Sequence, residues 1–193
     1  MYSLPKTFFW DYETSPVEKL FWGRIPVTTA CSFLHFEKDN IVQNMMHKLK
    51  YEGKTGIGEE LGTLFATTLK EKNWFEDIEL IIPVPLHTTK QARRGYNQST
   101  FIANGMAEVY NVESSESLLI RTISSETQTR KGRYQRSENV SSIFQTPHPK
   151  LVKGKNVLLV DDVVTTGATL VSAGAKLVEA GVNKLYIATL AIA

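Results

Sequence analysis

The sequence lacks several features that would place it in a specialised class of proteins. Its single cysteine, Cys31, can form neither an internal disulfide nor a cysteine-based zinc cluster, which is typical of a reducing compartment. Its longest apolar stretches, such as residues 157–160 and 185–193, are far shorter than the ~20 residues needed to cross a bilayer. Its first residues carry one cation and no apolar run, so they do not resemble a secretory signal. These absences predict a cytoplasmic protein without a membrane span.

The chain also has almost no excess of charge. The 22 Lys and Arg residues nearly balance the 20 Asp and Glu residues, and a net charge of +2 is too small to indicate a nucleic-acid partner from bulk electrostatics. Any basic patch must therefore be local. The four histidines share no metal-ligand spacing, which argues against a transition-metal site. A hydrophobic content of 42% is that of an ordinary globular domain.

Two regions are expected from the hydrophobic pattern. Residues 1–40 are predicted to form an irregular, aromatic N-terminal segment and one strand packed on the core, and residues 41–193 the main domain. A helix capped by Asn40 should begin at Ile41 and bury Ile41, Met45 and Leu49. Strands are predicted over residues 28–36, 80–84, 118–121, 156–160 and 184–190, and further helices over 59–72, 100–110 and 169–180. This alternation predicts an α/β fold with a mostly parallel, twisted sheet flanked by helices.

The strongest chemical signal is the segment Asn156-Val-Leu-Leu-Val-Asp-Asp-Val-Val-Thr-Thr-Gly-Ala-Thr169. An apolar strand ends there in two acids and continues through a Thr/Gly loop into a helix. Ligands of open α/β sheets bind at the carboxyl ends of strands, where Asp161 and Asp162 fall. The loop then offers hydroxyls and unsatisfied N–H groups at a helix N-terminus, which favour a phosphate. The candidate binding residues of this loop are Val163, Val164, Thr165, Thr166, Gly167, Ala168 and Thr169.

The acid pair and the loop together fit a phosphorylated sugar. Two adjacent carboxylates can accept hydrogen bonds from a vicinal diol, and Mg²⁺ nearby would relieve their repulsion. A diol acceptor beside a phosphate cradle describes a ribose 5-phosphate. Asp162 could also stabilise positive charge that develops at the anomeric carbon. The alternative is that Asp161 and Asp162 only end a strand and cap the next helix. A Walker B strand is a further alternative, but the sequence contains no G-x-x-x-x-G-K-[ST] motif.

This segment resembles the motif with which type I phosphoribosyltransferases bind 5-phosphoribosyl-1-pyrophosphate (PRPP). A second pair of motifs, Ile82-Pro-Val-Pro-Leu-His87 and Arg93-Arg-Gly-Tyr-Asn-Gln98, is similar to signatures of the ComF competence family. The resemblance runs from about Lys50 to the C-terminus. It implies a type I phosphoribosyltransferase fold, a flexible hood loop at about residues 124–150, and binding of Mg²⁺ and PRPP through Asp161 and Asp162.

Two functions follow from this resemblance. One is an enzyme that transfers the phosphoribosyl group to a nitrogen nucleophile and releases pyrophosphate. The other is a non-catalytic protein of competence and DNA uptake that senses PRPP and contacts single-stranded DNA or proteins of the competence machinery. For the second function the basic stretches 47–54, 90–94 and 130–136 would supply the phosphate contacts.

The resemblance also implies contacts with pyrophosphate. The loop Pro83–His87 should approach it, and Pro85 is a candidate for an unusual peptide geometry. Guanidinium groups of the second motif and of the hood suit phosphates because they are planar and permanently charged. A strand-ending turn and solvated basic residues remain the alternatives. The candidate pyrophosphate and hood residues are Pro85, His87, Arg93, Arg94, Arg133 and Arg136.

The sequence departs from the ComF pattern at its start. ComF proteins typically begin with a four-cysteine zinc module, and this sequence has only Cys31. Any DNA-related role of that module is therefore not expected of this chain. Cys31 itself lies in a predicted strand, where a small core residue is a better interpretation than a nucleophile.

Overall fold

A five-stranded parallel sheet forms the centre of the chain. The computed structural model describes residues 4–122 and 143–193. The strands are β1 (Thr29–His35), β2 (Leu80–Pro83), β3 (Glu113–Ser114), β4 (Ile120–Arg121), β5 (Phe144–Gln145), β6 (Asn156–Val164) and β7 (Lys184–Ile192). The α-helices are α1 (Ile41–Tyr51), α2 (Gly56–Lys70), α3 (Thr88–Arg94), α4 (Gln98–Tyr110), α5 (Pro149–Val152) and α6 (Ala168–Glu179). The strand order is β1-β7-β6-β2-β3, and β4 pairs separately with β5.

Every neighbouring pair in the large sheet is parallel, which confirms the predicted architecture. The connection from β2 through α4 leads to β3, whereas that from β6 through α6 leads to β7, in the opposite direction along the sheet. Because parallel crossovers are right-handed, α4 and α6 cover opposite faces. The connections diverge between β2 and β6. This is the kind of crevice in which open α/β sheets bind ligands.

The central strands are buried because helices cover both faces of the sheet. Val157, Leu158, Leu159 and Val160 of β6 are fully buried, as expected for a parallel strand in a doubly covered sheet. The apolar run that precedes the acid pair is thus a core strand, and its burial fixes the positions of Asp161 and Asp162.

Helices α2 and α4 pack unusually closely through two glycines. A Cβ at Gly62 would lie 2.3 Å from the carbonyl oxygen of Ile102, and one at Gly105 would lie 2.1 Å from that of Glu59. No side chain fits in either place. This contact fixes the position of α4, whose first turn reaches the crevice.

The N-terminal segment packs on the core as two short 3₁₀ turns. These turns span Phe9–Asp11 and Glu18–Leu20, and Lys6 forms an isolated antiparallel bridge with Leu34 of β1. Phe9 and Trp10 are buried, as is Phe21 just after the second turn. The aromatic side chains of the segment therefore contribute to the hydrophobic core.

Several predicted boundaries differ from those in the structure. The strand predicted over residues 118–121 is confined to Ile120–Arg121, because Leu118 and Leu119 are buried outside regular structure. The end of the predicted hood loop contains β5 and α5, and the rest of it, residues 124–142, lies outside the described residues. In α1 the buried face is Val42, Met46 and Leu49, so the face predicted from Ile41 and Met45 is wrong by one position.

No helix in the described ranges has both the length and the apolar character that a membrane span requires.

Candidate functional site

The candidate site lies at the carboxyl edge of the sheet, where β2 ends beside Val160 and β6 continues through the two acids to Val164. Pro83 of β2 is paired with Val160 of β6, so Asp161 and Asp162 follow directly at this edge. The first turn of α4 reaches the same place because the Asn97 side chain donates to the carbonyl oxygen of Val84 at 3.0 Å. The buried strand and the anchored helix therefore bring the two predicted motifs together.

Asp162 is buried and held by three donors. Its Oδ2 lies 2.6 Å from the Lys50 ammonium and accepts a hydrogen bond from Gln98 Nε2 at 2.9 Å. Its Oδ1 accepts one from the backbone N–H of Val163 at 2.6 Å. The residue is only 7% exposed. Asp162 is thus an anchored carboxylate with a resident counter-ion.

Asp161 is only partly buried and keeps one oxygen available. Its Oδ1 accepts hydrogen bonds from Ser99 Oγ at 3.0 Å and from the backbone N–H of Asp162 at 2.8 Å. Its Oδ2 accepts none from the described residues. Desolvation raises the pKa of Asp161, and the charge of Asp162 raises it further. Of the two acids, Asp161 is the one that a ligand can reach without displacing a protein group.

The Thr/Gly loop forms a small cavity beside Asp161. The cavity measures about 60 Å³ and is lined by Asp161 and residues 163–170. None of the backbone N–H groups of residues 166–170 donates to another described residue, whereas the N–H of Val171 bonds the carbonyl oxygen of Gly167 at 2.8 Å. Gly167 has a φ of 72°, a conformation that few other residues adopt, and it precedes α6. The loop can therefore offer several free N–H donors to an anion.

The Arg-Gly-Tyr-Asn-Gln motif connects the parts of the site. Arg94 Nη1 donates to Gln98 Oε1 at 2.9 Å, and Gln98 in turn holds Asp162. Gly95 ends α3 with a φ of 82°, and Tyr96 Oη donates to the carbonyl oxygen of Leu49 at 2.6 Å. Asn97 caps α4 by accepting from the N–H of Ser99. The motif thus positions Gln98 and Ser99, which contact the two acids.

The other predicted pyrophosphate residues have different surroundings. No peptide bond in the described ranges is cis, so the expected unusual geometry at Pro85 is wrong. His87 caps α3 by accepting from the N–H of Thr89 at 3.2 Å. Arg93 is exposed and has no polar partner in the described part of the chain. Arg133 and Arg136 lie outside the described residues.

Sequence reasoning missed three side chains at the site. Lys50 comes from the end of α1, Ser99 from the first turn of α4, and Arg121 from β4. Arg121 lies over the ring of Phe144 at 5.4 Å, and its buried Nε has no hydrogen-bond partner among the described residues. Burial lowers the pKa of Arg121, and the charge of Asp161 opposes this shift. Ser99 adjoins a recognised motif and Lys50 lies in the basic stretch 47–54, but neither pattern indicates a contact with the acid pair, and Arg121 has no local signal.

The protein oxygen atoms at the site suit Mg²⁺ only if a bound ligand supplies most of the other coordinating oxygens. The described residues contain no cluster of three or more His, Cys, Asp or Glu side chains that could hold a metal ion. Asp161 offers one free carboxylate oxygen, and Mg²⁺ commonly binds through one or two carboxylates together with phosphates and water. Asp161 therefore fits a metal that arrives with a phosphorylated ligand.

A larger cavity, of about 520 Å³, opens near the amino ends of β1 and β7. Asp77 at its wall bonds Lys184 and Tyr186. None of the predicted site residues lines it. The acid pair and the Thr/Gly loop therefore lie at a separate place, at the other end of the sheet.

Comparisons with known proteins show the family to which the chain belongs. The model of the phosphoribosyl transferase domain matches residues 91–192, just over half of the chain. The chain is 28% identical over 146 residues to the DNA utilization protein YhgH of Shigella flexneri and 28% identical over 147 residues to competence protein F of Haemophilus influenzae. Each match covers 74% of this chain, but only 63% and 64% of the relatives. These relatives confirm the resemblance to ComF proteins.

Among solved structures, the chain is similar to the glutamine PRPP amidotransferase of B. subtilis. That similarity has a TM-score of 0.48 and 16% identity, and it covers 74% of this chain and 30% of the other.

Proposed function

Because this chain belongs to the family of phosphoribosyl transferase domains, we propose that it binds PRPP with Mg²⁺ and transfers the phosphoribosyl group to a nitrogen nucleophile. The observation that carries this proposal is the position of Asp161. Asp161, with one oxygen that accepts no hydrogen bond from the described residues, lines the same small cavity as residues 166–170, whose N–H groups have no acceptor among those residues. A diol acceptor thus stands next to an anion cradle, as a ribose 5-phosphate requires.

Each part of the site has a defined task in this proposal. The N–H groups of the Thr/Gly loop hold the 5-phosphate, and Asp161 accepts a ribose hydroxyl. Asp162, held beside the Lys50 ammonium, stabilises positive charge at the anomeric carbon. The bond from that carbon to pyrophosphate breaks, the pyrophosphate takes the electron pair, and the new bond to nitrogen forms while the proton of the nitrogen passes to water. Bound Mg²⁺ would supply positive charge to the pyrophosphate.

Calorimetry with PRPP and Mg²⁺ tests the binding step. We expect wild-type protein to bind and Asp161→Asn to bind at least about tenfold more weakly, since a charged acceptor is lost. Asp39→Asn is the matched control, because Asp39 is exposed and its φ of 61° is one that asparagine tolerates. Absence of binding by the wild type, or equal binding by Asp161→Asn, would contradict the proposal.

Release of pyrophosphate tests the transfer step. Labelled PRPP should yield pyrophosphate in the presence of one of a panel of nucleobases and amines. If PRPP binds tightly and no acceptor supports turnover, the chain binds PRPP without transferring its ribosyl group.

The structure favours a second candidate function, contact with single-stranded DNA, through one specific observation. Two of the basic stretches come together: the Arg94 guanidinium lies 5.0 Å over the Tyr51 ring, and the His47 ring lies 5.1 Å from it. Tyr51 is 57% exposed. An exposed aromatic ring beside a guanidinium is a surface on which a base can stack. The names of the competence and DNA utilization relatives agree with such a role; protein partners and a cytoplasmic location remain predictions.

An oligonucleotide titration at two salt concentrations tests this second function. Binding should weaken steeply with salt. Tyr51→Ala should weaken it about tenfold, as expected for the loss of one stacked base, whereas Tyr12→Ala, at another exposed tyrosine, should not. A wild-type protein that fails to bind at low salt removes the function.

A further inference from the structure

The N-terminal segment contacts the Thr/Gly loop directly. Arg24 Nη1 donates to the carbonyl oxygen of Thr166 at 2.7 Å and to that of Leu20 at 2.9 Å. A Cβ at Gly167 would lie 3.2 Å from the ring of Phe21 and 3.5 Å from Leu20 Cβ. The outer side of the loop is therefore covered by residues 20–24, which precede the region that the family model matches, residues 91–192.

The hydrogen bond from Arg24 fixes the direction of one peptide group. In a trans peptide the C=O and the following N–H point in opposite directions. Because the Thr166 carbonyl points to Arg24, the N–H of Gly167 points away from the N-terminal segment. That N–H has no acceptor among the described residues. The bond to a charged donor also polarises the peptide, which makes its N–H a stronger donor.

We propose that Arg24 is a positioning residue for the binding of a phosphate monoester by the Thr/Gly loop. It acts through the Thr166–Gly167 peptide, whose N–H it directs toward the anion. This inference rests on the proposed function, in which the loop holds the 5-phosphate. Arg24, although far from the loop in sequence, would then set the affinity of the loop for that phosphate.

The proposal also predicts a reciprocal effect. If Arg24 improves phosphate binding, bound phosphate must stabilise the contact of Arg24 with the loop, since coupling between two sites is symmetric. Arg24 is exposed, so trypsin can cleave the chain after it when the segment detaches. Ligand binding should therefore protect the bond between Arg24 and Ile25.

Calorimetry with ribose 5-phosphate tests the positioning role. Arg24→Met keeps the aliphatic stem but removes the donor, and it should weaken binding about tenfold, the effect of losing one hydrogen bond to a charged group. Arg24→Lys restores a charged donor and should recover most of the affinity. Lys19→Met is the matched control, because Lys19 is an exposed cation of the same segment and makes no contact with the loop among the described residues. Binding of Mg²⁺·pyrophosphate should be equal in all four proteins.

Two results would overturn the inference alone: wild type and Arg24→Met binding ribose 5-phosphate equally, or ribose 5-phosphate leaving the rate of cleavage after Arg24 unchanged in the wild type. Thermal melts check that Arg24→Met is folded, and the cleavage assay on wild type needs no variant. If wild-type protein binds neither ribose 5-phosphate nor PRPP, the proposed function fails, and this inference fails with it.

Discussion

The ion pair between Lys50 and Asp162 gives the sharpest test of how the site is built. The Lys50 side chain is 22% exposed and that of Asp162 9% exposed, so the pair is largely removed from water. Lys50→Met leaves Asp162 with Gln98 and the N–H of Val163 as its remaining donors. Removing one partner of a buried ion pair usually lowers the free energy of unfolding by about 3–5 kcal/mol. Because Asp162 retains two donors, we expect a loss of about 3 kcal/mol for Lys50→Met.

Substitution of the other partner, Asp162, should lower the free energy of unfolding by less. Asp162→Asn leaves the Lys50 ammonium unpaired, but that ammonium retains access to water, so we expect a loss of about 2 kcal/mol. The double variant no longer contains an unpaired buried charge. It should therefore lose about 3 kcal/mol, which corresponds to a coupling of about 2 kcal/mol between the two residues.

Urea unfolding at pH 7 measures all four proteins of this double-mutant cycle. The free energies of unfolding come from linear extrapolation, with equal slopes as the check that the unfolding transition has not changed. If the two single losses simply add in the double variant, Lys50 and Asp162 do not interact, and the description of Asp162 as an anchored carboxylate is refuted.

Three further predictions concern packing, pH and reactivity. Gly105→Ala should lower the free energy of unfolding by about 3 kcal/mol, because its Cβ would lie 2.1 Å from the Glu59 carbonyl oxygen. In the control Gly56→Ala the new Cβ has no atom within 4 Å, and the free energy of unfolding should change by less than about 1 kcal/mol. Thermal melts that show equal effects of the two substitutions would contradict the close contact between α2 and α4. Burial and the Asp162 charge raise the pKa of Asp161, so the wild type should lose stability as the pH rises from the ordinary aspartate range through the raised pKa. Asp161→Asn should therefore unfold at a higher urea concentration than the wild type at neutral pH and at the same concentration in acid. Urea midpoints that depend on pH in the same way in both proteins would disprove the shift. Burial also raises the pKa of the Cys31 thiol, so a thiol reagent should label Cys31 only after unfolding, and fast labelling of native protein would show that the thiol is accessible.

The parts of the fold that sequence reasoning predicted are those with a strong local pattern. The strand, acid pair and loop of residues 156–169 combine an apolar run with a glycine and a helix start, and each has a local physical cause. The N-cap at Asn40 is confirmed, since its Oδ1 accepts from the N–H of Gln43 at 3.0 Å. A capping side chain and the helix that follows it are close in sequence, so the pattern is sufficient.

The sequence pattern predicted the wrong buried face where two sets of apolar residues both have helical spacing. In α1 the apolar residues Ile41 and Met45 form one series at helical spacing, and Val42 and Met46 form another, shifted by one position. Only the packing of the helix decides which series is buried, and it buries the second. In α2 the apolar residue Leu64 is 40% exposed, whereas Gly62 faces α4.

The remainder of the site depends on contacts between distant parts of the chain. Asp162 meets Gln98 across 64 residues of sequence, and Arg24 meets Thr166 across 142. Arg24 is a single cation without a motif around it, and Lys50 is one of several cations in the stretch 47–54. A pattern within a short window cannot show which carbonyl or acid each of them will reach. Such partners follow only from the order of the strands and the packing of the helices.

The strand order also decides how far this protein can be shortened. The two strands in the middle of the sheet, β6 and β7, are flanked by β2 and β1, both of which precede residue 91. A fragment cut at the start of the family match would expose a row of bare amide and carbonyl groups along each outer side of a two-strand ribbon. Such edges invite pairing with other copies. The excised fragment should therefore collect in inclusion bodies, even though it carries the whole Asp-Asp and Thr/Gly signature.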